Sequence, residues 1–314
     1  MKTIFMTGGG GAGTIAAARH LKASGRYRVI LGDMDKWAAG LRFGDKAYIL
    51  PAGADNNFIR VAKDIIRKEK VDIFVPLVDE EILKSYKLKH EFEKLIILLP
   101  EHAFSKMALD KWLLAKKFKE LNLPHPLTYL ATDEEHSLNY PFIAKPRNGR
   151  GSKHVIEIGS EKQLKAYKIL TGLLSEEIVM QEKIEGQEFT VSVVVNYSGD
   201  VLAVVPKEII YKKGITKAAI TRQVASIQEI AIEIQRKLHA NGPFNMQLIL
   251  KKDNTPVIFE INPRYSTTIA LTIASGVDEI DLLIEHQTYS GLLLPFKENL
   301  LMTRFYDQLY WEEK

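Results

Sequence analysis

Between positions 3 and 99, short apolar runs alternate with helical patterns, and this alternation narrows the fold more than any other feature of the chain. Thr3-Ile4-Phe5-Met6, Arg28-Val29-Ile30-Leu31, Val71–Val75 and Leu95–Leu99 are largely continuous in apolar character, not polar at every second position. Strands covered on both faces read this way, since neither face meets water. Between them Ile15–Ala23 has a helical pattern that stops near Gly25. Phe58 to Lys68 carries a stripe of Phe58, Val61, Ile65 and Ile66. Pro76 and Pro100 close two of the runs. The pattern predicts an α/β domain over 1–105, a parallel sheet with helices on its faces.

Beyond it the pattern changes to α+β. The sequence predicts a helix from Met107 to Leu121, which stops before Pro124 and Pro126, then a small unit over 106–185. In that unit the strand Phe142–Lys145 runs into a loop, Arg147-Asn148-Gly149-Arg150-Gly151-Ser152, followed by strands at 155–158 and 178–181. A third part, 186–314, opens with strands Phe189–Val195 and Val201–Val205. A helix from Val224 to His239 stops at Asn241-Gly242-Pro243, and strands Met246–Leu250 and Val257–Ile261 form a hairpin.

With 314 residues, 46% of them apolar and 26% charged, the chain can build several cores. A net charge of +4, dispersed along helical faces, does not form the basic stripe that nucleic acid requires, so no nucleic-acid partner is expected. The absence of cysteine excludes disulfides, thiolate metal sites and a cysteine nucleophile. No apolar run approaches the ~20 residues that span a bilayer. No membrane partner is expected, and the expected location is the cytoplasm.

Gly8-x-Gly10-x-x-Gly13 lies between a strand and a helix, with Asp33 further on. That spacing fits a dinucleotide fingerprint, in which backbone amides approach a pyrophosphate and an acid holds a ribose. It equally fits a glycine turn needed only for close strand-to-helix packing.

The densest chemistry lies near the C-terminus. Glu260 and Asn262 are two apart on an apolar strand, so both side chains leave one face, and Gln247 on the partner strand can meet them. Oxygen donors of this kind suit a hard cation such as Mg²⁺ shared with phosphates. Arg264 can clamp a phosphoryl group, and Ser266-Thr267-Thr268 lead into a further helical stretch. Lys145 ends its strand at the glycine loop, where it can neutralise phosphates under the loop amides of Gly149 and Gly151. Lys111, taken by itself, reads as a surface lysine. Glu182, Lys183 and Ile184 follow an apolar strand whose edge suits adenine, and Glu188 can accept from ribose hydroxyls.

The order Asp110-Lys111, Lys145 with its glycine loop, Gln181–Ile184, Glu188, Gln247 and Glu260-x-Asn262-Pro263-Arg264 resembles the ATP-grasp superfamily. Gln at 247, together with Glu-x-Asn-Pro-Arg and a following serine, is similar to the large subunit of carbamoyl-phosphate synthase. The resemblance implies an ATP-grasp fold with an N-terminal pre-ATP-grasp domain, and ATP and Mg²⁺ (or Mn²⁺) as cofactors. It implies that Lys111 and Lys145 contact phosphates, that Glu182, Lys183 and Ile184 line the adenine site, and that Glu188 holds the ribose. Gln247, Glu260 and Asn262 would hold metal, and Arg264 would serve the transferred phosphate.

The activity so implied is a carboxylate–amine or carboxylate–ammonia ligase proceeding through an acyl phosphate. A half-enzyme phosphorylating bicarbonate or carbamate is an alternative, which with one unit needs a second copy in a homodimer or a separate partner. An NAD-dependent oxidoreductase using the glycine loop, and an ATP-binding protein without turnover, are alternatives of other classes. In the family the pre-domain loop faces the acceptor, so Gly10, Gly11 and Ser266 are expected to border a small-molecule substrate, together with Asp79, Glu80 and Glu81 after Pro76. Lys207, Lys213, Lys217 and Arg222 read as structural or solvated, and Tyr306, Tyr310 and Trp311 as packing or oligomer residues.

Overall fold

The computed structural model describes residues 1–133, 135–285 and 291–311. Three sheets organise them. The first contains β1 (Lys2–Met6), β2 (Tyr27–Asp33), β3 (Lys46–Ile49), β4 (Ile73–Val75) and β5 (Ile96–Ile97) in the order β3-β2-β1-β4-β5, all parallel. The second contains β6 (Thr128–Leu130), β7 (Phe142–Pro146), β8 (Ile156–Ile158) and β9 (Ile178–Glu182), antiparallel in the order β6-β9-β7-β8. The third contains β10 (Gln187–Val195), β11 (Val201–Lys213), β12 (Ile215–Thr221), β13 (Gly242–Leu250), β14 (Pro256–Asn262) and β15 (Leu301–Thr303), also antiparallel.

The expected α/β and α+β architecture is what the chain adopts. In β1, Ile4 and Met6 face one way and Phe5 the other, and all three are buried. Phe5 packs with Phe58, Ile65 and Ile66 of α2 (Phe58–Glu69). Ile4 and Met6 share a core with Ala17 and Leu21 of α1 (Ala12–Ala23), and with Val194, Ala203 and Val205 of the third sheet. That shared core fixes the first sheet against the third. The opposite face of β10, through Phe189, Val191, Val193 and Val195, packs under α6 (Ala225–Leu238). Burying each such side chain stabilises the fold by roughly 1.5–3 kcal/mol.

Two local outcomes differ from the sequence expectation. The single helix expected over Met107–Leu121 is two, α4 (His102–Ala108) and α5 (Lys111–Glu120). Asp110 breaks the run because its carboxylate accepts from the amides of Trp112 and Leu113, capping α5. The strand expected at Val201–Val205 continues to Lys213, turns at Gly214 with φ 70° and returns as β12. Its lysines and glutamate obscured the strand pattern.

Candidate active site

A cleft of ≈ 390 Å³ lies between the second and third sheets. Lys145, next to last in β7, is 4% exposed and donates from Nζ to Gln181 Oε1 at 2.7 Å. Burial pushes its pKa down to about 8, and the Glu260 carboxylate opposes the shift. The Phe259 ring lies 5.3 Å from the same nitrogen. Strict alternation would turn Phe259 away from Glu260. The ladder, however, pairs Gln247 with Glu260 and Leu248 with Ile258, leaving Phe259 as the extra residue of a bulge, so both border the cleft.

Lys111 is buried at the start of α5 and donates to the carbonyl of Gly149 at 2.9 Å. It is not the surface lysine that it resembles in isolation. Asp110 also accepts from Arg147, whose Nε lies 2.9 Å from both carboxylate oxygens, so one acid caps the helix and anchors the glycine loop at its base. Gly149 and Gly151 take φ 139° and 69°, values a side chain would resist. At the loop tip, Arg150 meets Glu80 of α3 (Asp79–Ser85) at 3.0 Å.

Glu182, Lys183, Ile184 and Glu188 line the cleft. Glu188 pairs with Lys212 at 2.6 Å, Glu182 accepts from the Leu127 amide at 3.0 Å, and Lys183 pairs with Glu157 at 2.8 Å. Lys212, Phe259 and Thr190 also line it. Sequence reasoning passed over all three, and only strand register and the bulge reveal them.

Gln247, Glu260 and Asn262 converge. Glu260 Oε1 accepts from Gln247 Nε2 at 3.3 Å and from Asn262 Nδ2 at 3.0 Å. As oriented, both amides turn nitrogen toward the carboxylate, so turning either over presents an oxygen to a cation. Among the described residues, no group of three or more His, Cys, Asp or Glu side chains could hold a metal ion. One carboxylate with two amide oxygens fits Mg²⁺ only where substrate phosphates supply further ligands, which is how this ion is often bound. Arg264 lies beyond Asn262, with Nη2 3.3 Å from Asn262 Oδ1 and Nε 2.6 Å from Asp79 Oδ1. Burial disfavours its charge, but the Asp79 carboxylate outweighs this and raises its pKa above the ordinary value.

A second cavity of ≈ 630 Å³ opens at the carboxyl ends of β1 and β4, where the order of the first sheet reverses. Ligands of open α/β sheets bind at such points. Gly10, Gly11, Glu80 and Ser266 line it, as does Arg264 with Asp79 paired behind it. The glycine loop closes on itself. Gly9 donates to Gly32, Gly10 to the Asp33 carboxylate and Gly11 to Gly8, so these amides and that acid are already engaged. Gly40 packs onto the loop so closely that a Cβ there would lie 1.7 Å from the Gly9 carbonyl oxygen. A Cβ at Gly13 would meet Ser266 and Thr267. Lys207, wholly buried, donates to Ser192 and Thr272 at 2.6 Å each and lies 3.5 Å from Ser266 Oγ. Lys217 and Arg222 bond Tyr306 and Glu208, outside both cavities. Arg150, Gly151, Ile215, Arg264, Ser266 and Thr267 line both, so the two cavities meet.

The fold and sequence match known proteins along most of their length. Residues 108–268 match a model described as an ATP-grasp domain, and residues 4–99 one described as a PylC-like N-terminal domain. N5-carboxyaminoimidazole ribonucleotide synthetase from Thermotoga maritima superposes with a TM-score of 0.65 at 21% identity, covering 96% of this chain and 78% of that one. The L-amino acid ligase of Bacillus licheniformis gives 0.68 at 18% identity, covering 91% and 74%. Biotin carboxylase from Campylobacter jejuni, in its β-γ-ATP complex, gives 0.72 at 16% identity, covering 96% and 74%. The matched ATP-grasp domain takes in more than half of the 314 residues, with Lys111, Lys145, Glu188, Gln247, Glu260, Asn262 and Arg264 all inside it, and the chain belongs to the ATP-grasp family.

Proposed function

We propose that the chain is an ATP- and Mg²⁺-dependent ligase, with Mn²⁺ as the alternative ion, that phosphorylates a carboxylate to an acyl phosphate and joins it to an amine or ammonia. The observation that carries the reading is the shared wall of the two cavities, in which Arg264 and Ser266 face both. A carboxylate held in the larger cavity against that wall meets the phosphoryl end of a nucleotide held in the smaller one. Both walls are positioned before reaction, and positioning with charge neutralisation is what phosphoryl transfer chiefly requires.

In this reading Lys145 and Lys111 hold the phosphates, with the backbone at Gly149 and Gly151 covering them. Glu182, Lys183 and Ile184 border adenine, and Glu188 accepts from the ribose. Glu260, with the amide oxygens of Gln247 and Asn262, would hold the ion, which supplies neutralisation of phosphate charge when bound. Arg264 orients the transferred group, and Gly10, Gly11, Asp79, Glu80 and Ser266 form the acceptor side. The three sheets are read as three domains, 1–105, 106–185 and 186–314.

The test incubates the whole chain with ATP–Mg²⁺ and pooled carboxylates and amines, then measures ADP and product masses. One pool should stimulate ADP release and yield a condensed product. Glu260→Ala should lower that release about a hundredfold or more while leaving the thermal melt unchanged. Undiminished ADP release from this variant would overturn the assignment, and a bicarbonate-dependent release giving a carbamoyl product would favour the half-enzyme instead.

A further inference from the structure

The first turn of α3 is Asp79-Glu80-Glu81, and each acid has a different partner. Asp79 holds Arg264, Glu80 holds Arg150, and Glu81 points into the first domain. Glu81 is 4% exposed and lines the larger cavity. Its Oε2 accepts from the Thr7 hydroxyl, whose oxygen accepts in turn from the Leu77 amide at 3.0 Å, so Thr7 holds the carboxyl in place. Its Oε1 has no hydrogen-bond partner among the described residues, yet it is not among the buried unpartnered atoms, so it reaches the cavity. Gly53 makes room for this side chain, since a Cβ there would lie 2.7 Å from Glu81 Cγ.

The surrounding charges select what Oε1 can meet. The cations lining the cavity, Arg150 and Arg264, are both ion-paired. Lys84, on the same helix, is bound to the carbonyls of Gly53, Ala54 and Asp55. Asp33 and Asp35 add negative charge at the glycine-loop end, and they form no salt bridge among the described residues. Burial pushes the Glu81 carboxyl up to about 8. The Thr7 bond and Arg150 oppose this, and Glu80 and Asp33 reinforce it. A carboxyl so placed lacks only a cation.

We infer that the acceptor cavity takes the amine or ammonia in its protonated form, and that Glu81 Oε1 removes the proton that frees the nitrogen to attack. The inference rests on the ligase reading above. The ammonium gives one proton to Glu81, and the freed nitrogen forms the C–N bond to the acyl carbon. The C–O bond to phosphate then breaks, and phosphate leaves with that electron pair. The second nitrogen proton passes to the departing phosphate, and Glu81 returns its own to solvent.

The experiment uses the full chain, ATP–Mg²⁺ and a mixture of the proteinogenic amino acids as carboxylate and amine sources, without and with hydroxylamine. Hydroxylamine is uncharged at neutral pH and needs no base, so it traps an acyl phosphate as a hydroxamate. Glu81→Gln should form hydroxamate within about twofold of the wild-type rate but amide about a hundredfold more slowly. The amide deficit should narrow as pH rises and the amine loses its own proton. Glu81→Asp should recover part of the amide rate. Equal amide rates in Glu81→Gln and wild type, or equal losses of amide and hydroxamate, would overturn the role of Glu81. A wild-type chain that makes neither product from these amino acids or from the pooled carboxylates and amines above would overturn the ligase reading, and this inference with it.

Discussion

Arg264 and Asp79 form an ion pair of 2.6 Å across 185 residues of sequence, and both side chains are only 12% exposed. The pair ties the strand that carries Glu260 and Asn262 to α3 at the larger cavity. It therefore sets where the Arg264 guanidinium sits in the wall that the two cavities share. Two neighbouring acids extend the connection, Glu80 to the glycine loop and Glu81 to the cavity floor.

Removing Asp79 leaves a buried arginine without its carboxylate, and such a loss typically costs about 3–5 kcal/mol. Asp79→Ala should lower the urea midpoint accordingly with no change in slope. Asp79→Asn, which keeps an acceptor for Arg264 Nε, should lose less. Equal stability of Asp79→Ala and wild type would show that the pair contributes nothing.

Lys145 makes the ligand-free fold depend on pH. Its folded pKa is about 8, against the ordinary 10.5 of an unfolded chain. Between these values the unfolded state holds more protons, so the contribution of Lys145 to stability rises with pH. Below about pH 8 the full cost of a buried charge is present. Lys145→Met should therefore stabilise the ligand-free chain most at about pH 7, less by about pH 10, while weakening ATP binding. Chemical denaturation at the two pH values, with nucleotide titration, checks both parts.

Asp110 serves α5 and the glycine loop at once. Asp110→Ala should cost about 1–2 kcal/mol through the lost cap. It should also raise KM for ATP more than it lowers kcat, since Arg147 then no longer fixes the base of the loop. A changed melting temperature with unchanged KM would separate the two roles.

Two glycines should respond for opposite reasons. Gly40→Ala places a methyl group 1.7 Å from the Gly9 oxygen, so backbone must move and the loss should reach about 3 kcal/mol. A Cβ at Gly151 meets nothing within 4 Å, but φ is 69°, so Gly151→Ala should cost about 1 kcal/mol. Thermal melts of the two variants give the comparison directly.

Much of this protein is local and therefore legible in sequence. The continuous apolar runs around Ile4, Ile30 and Phe74 foretold a covered parallel sheet, because covering both faces leaves no polar position. The two-residue spacing of Glu260 and Asn262 placed both on one face, because a strand repeats every second residue. The motif order from Lys111 to Arg264 was likewise enough to suggest the family.

What the sequence left open depends on contacts between distant segments. Lys111 looks like any exposed helix lysine until the Gly149 carbonyl is brought to it. Phe259 joins the cleft only because β14 bulges against β13, a matter of register between strands. The glycine loop offered a dinucleotide cradle and a packing turn with equal force. Only the fold shows Gly40 packed against Gly9, Gly13 against Ser266, and the Gly10 amide given to Asp33. Periodicity and residue type record what a chain buries. They do not record which charge meets which across the fold, because that pairing depends on tertiary packing, which brings Arg264 to Asp79 and leaves Glu81 Oε1 facing the cavity.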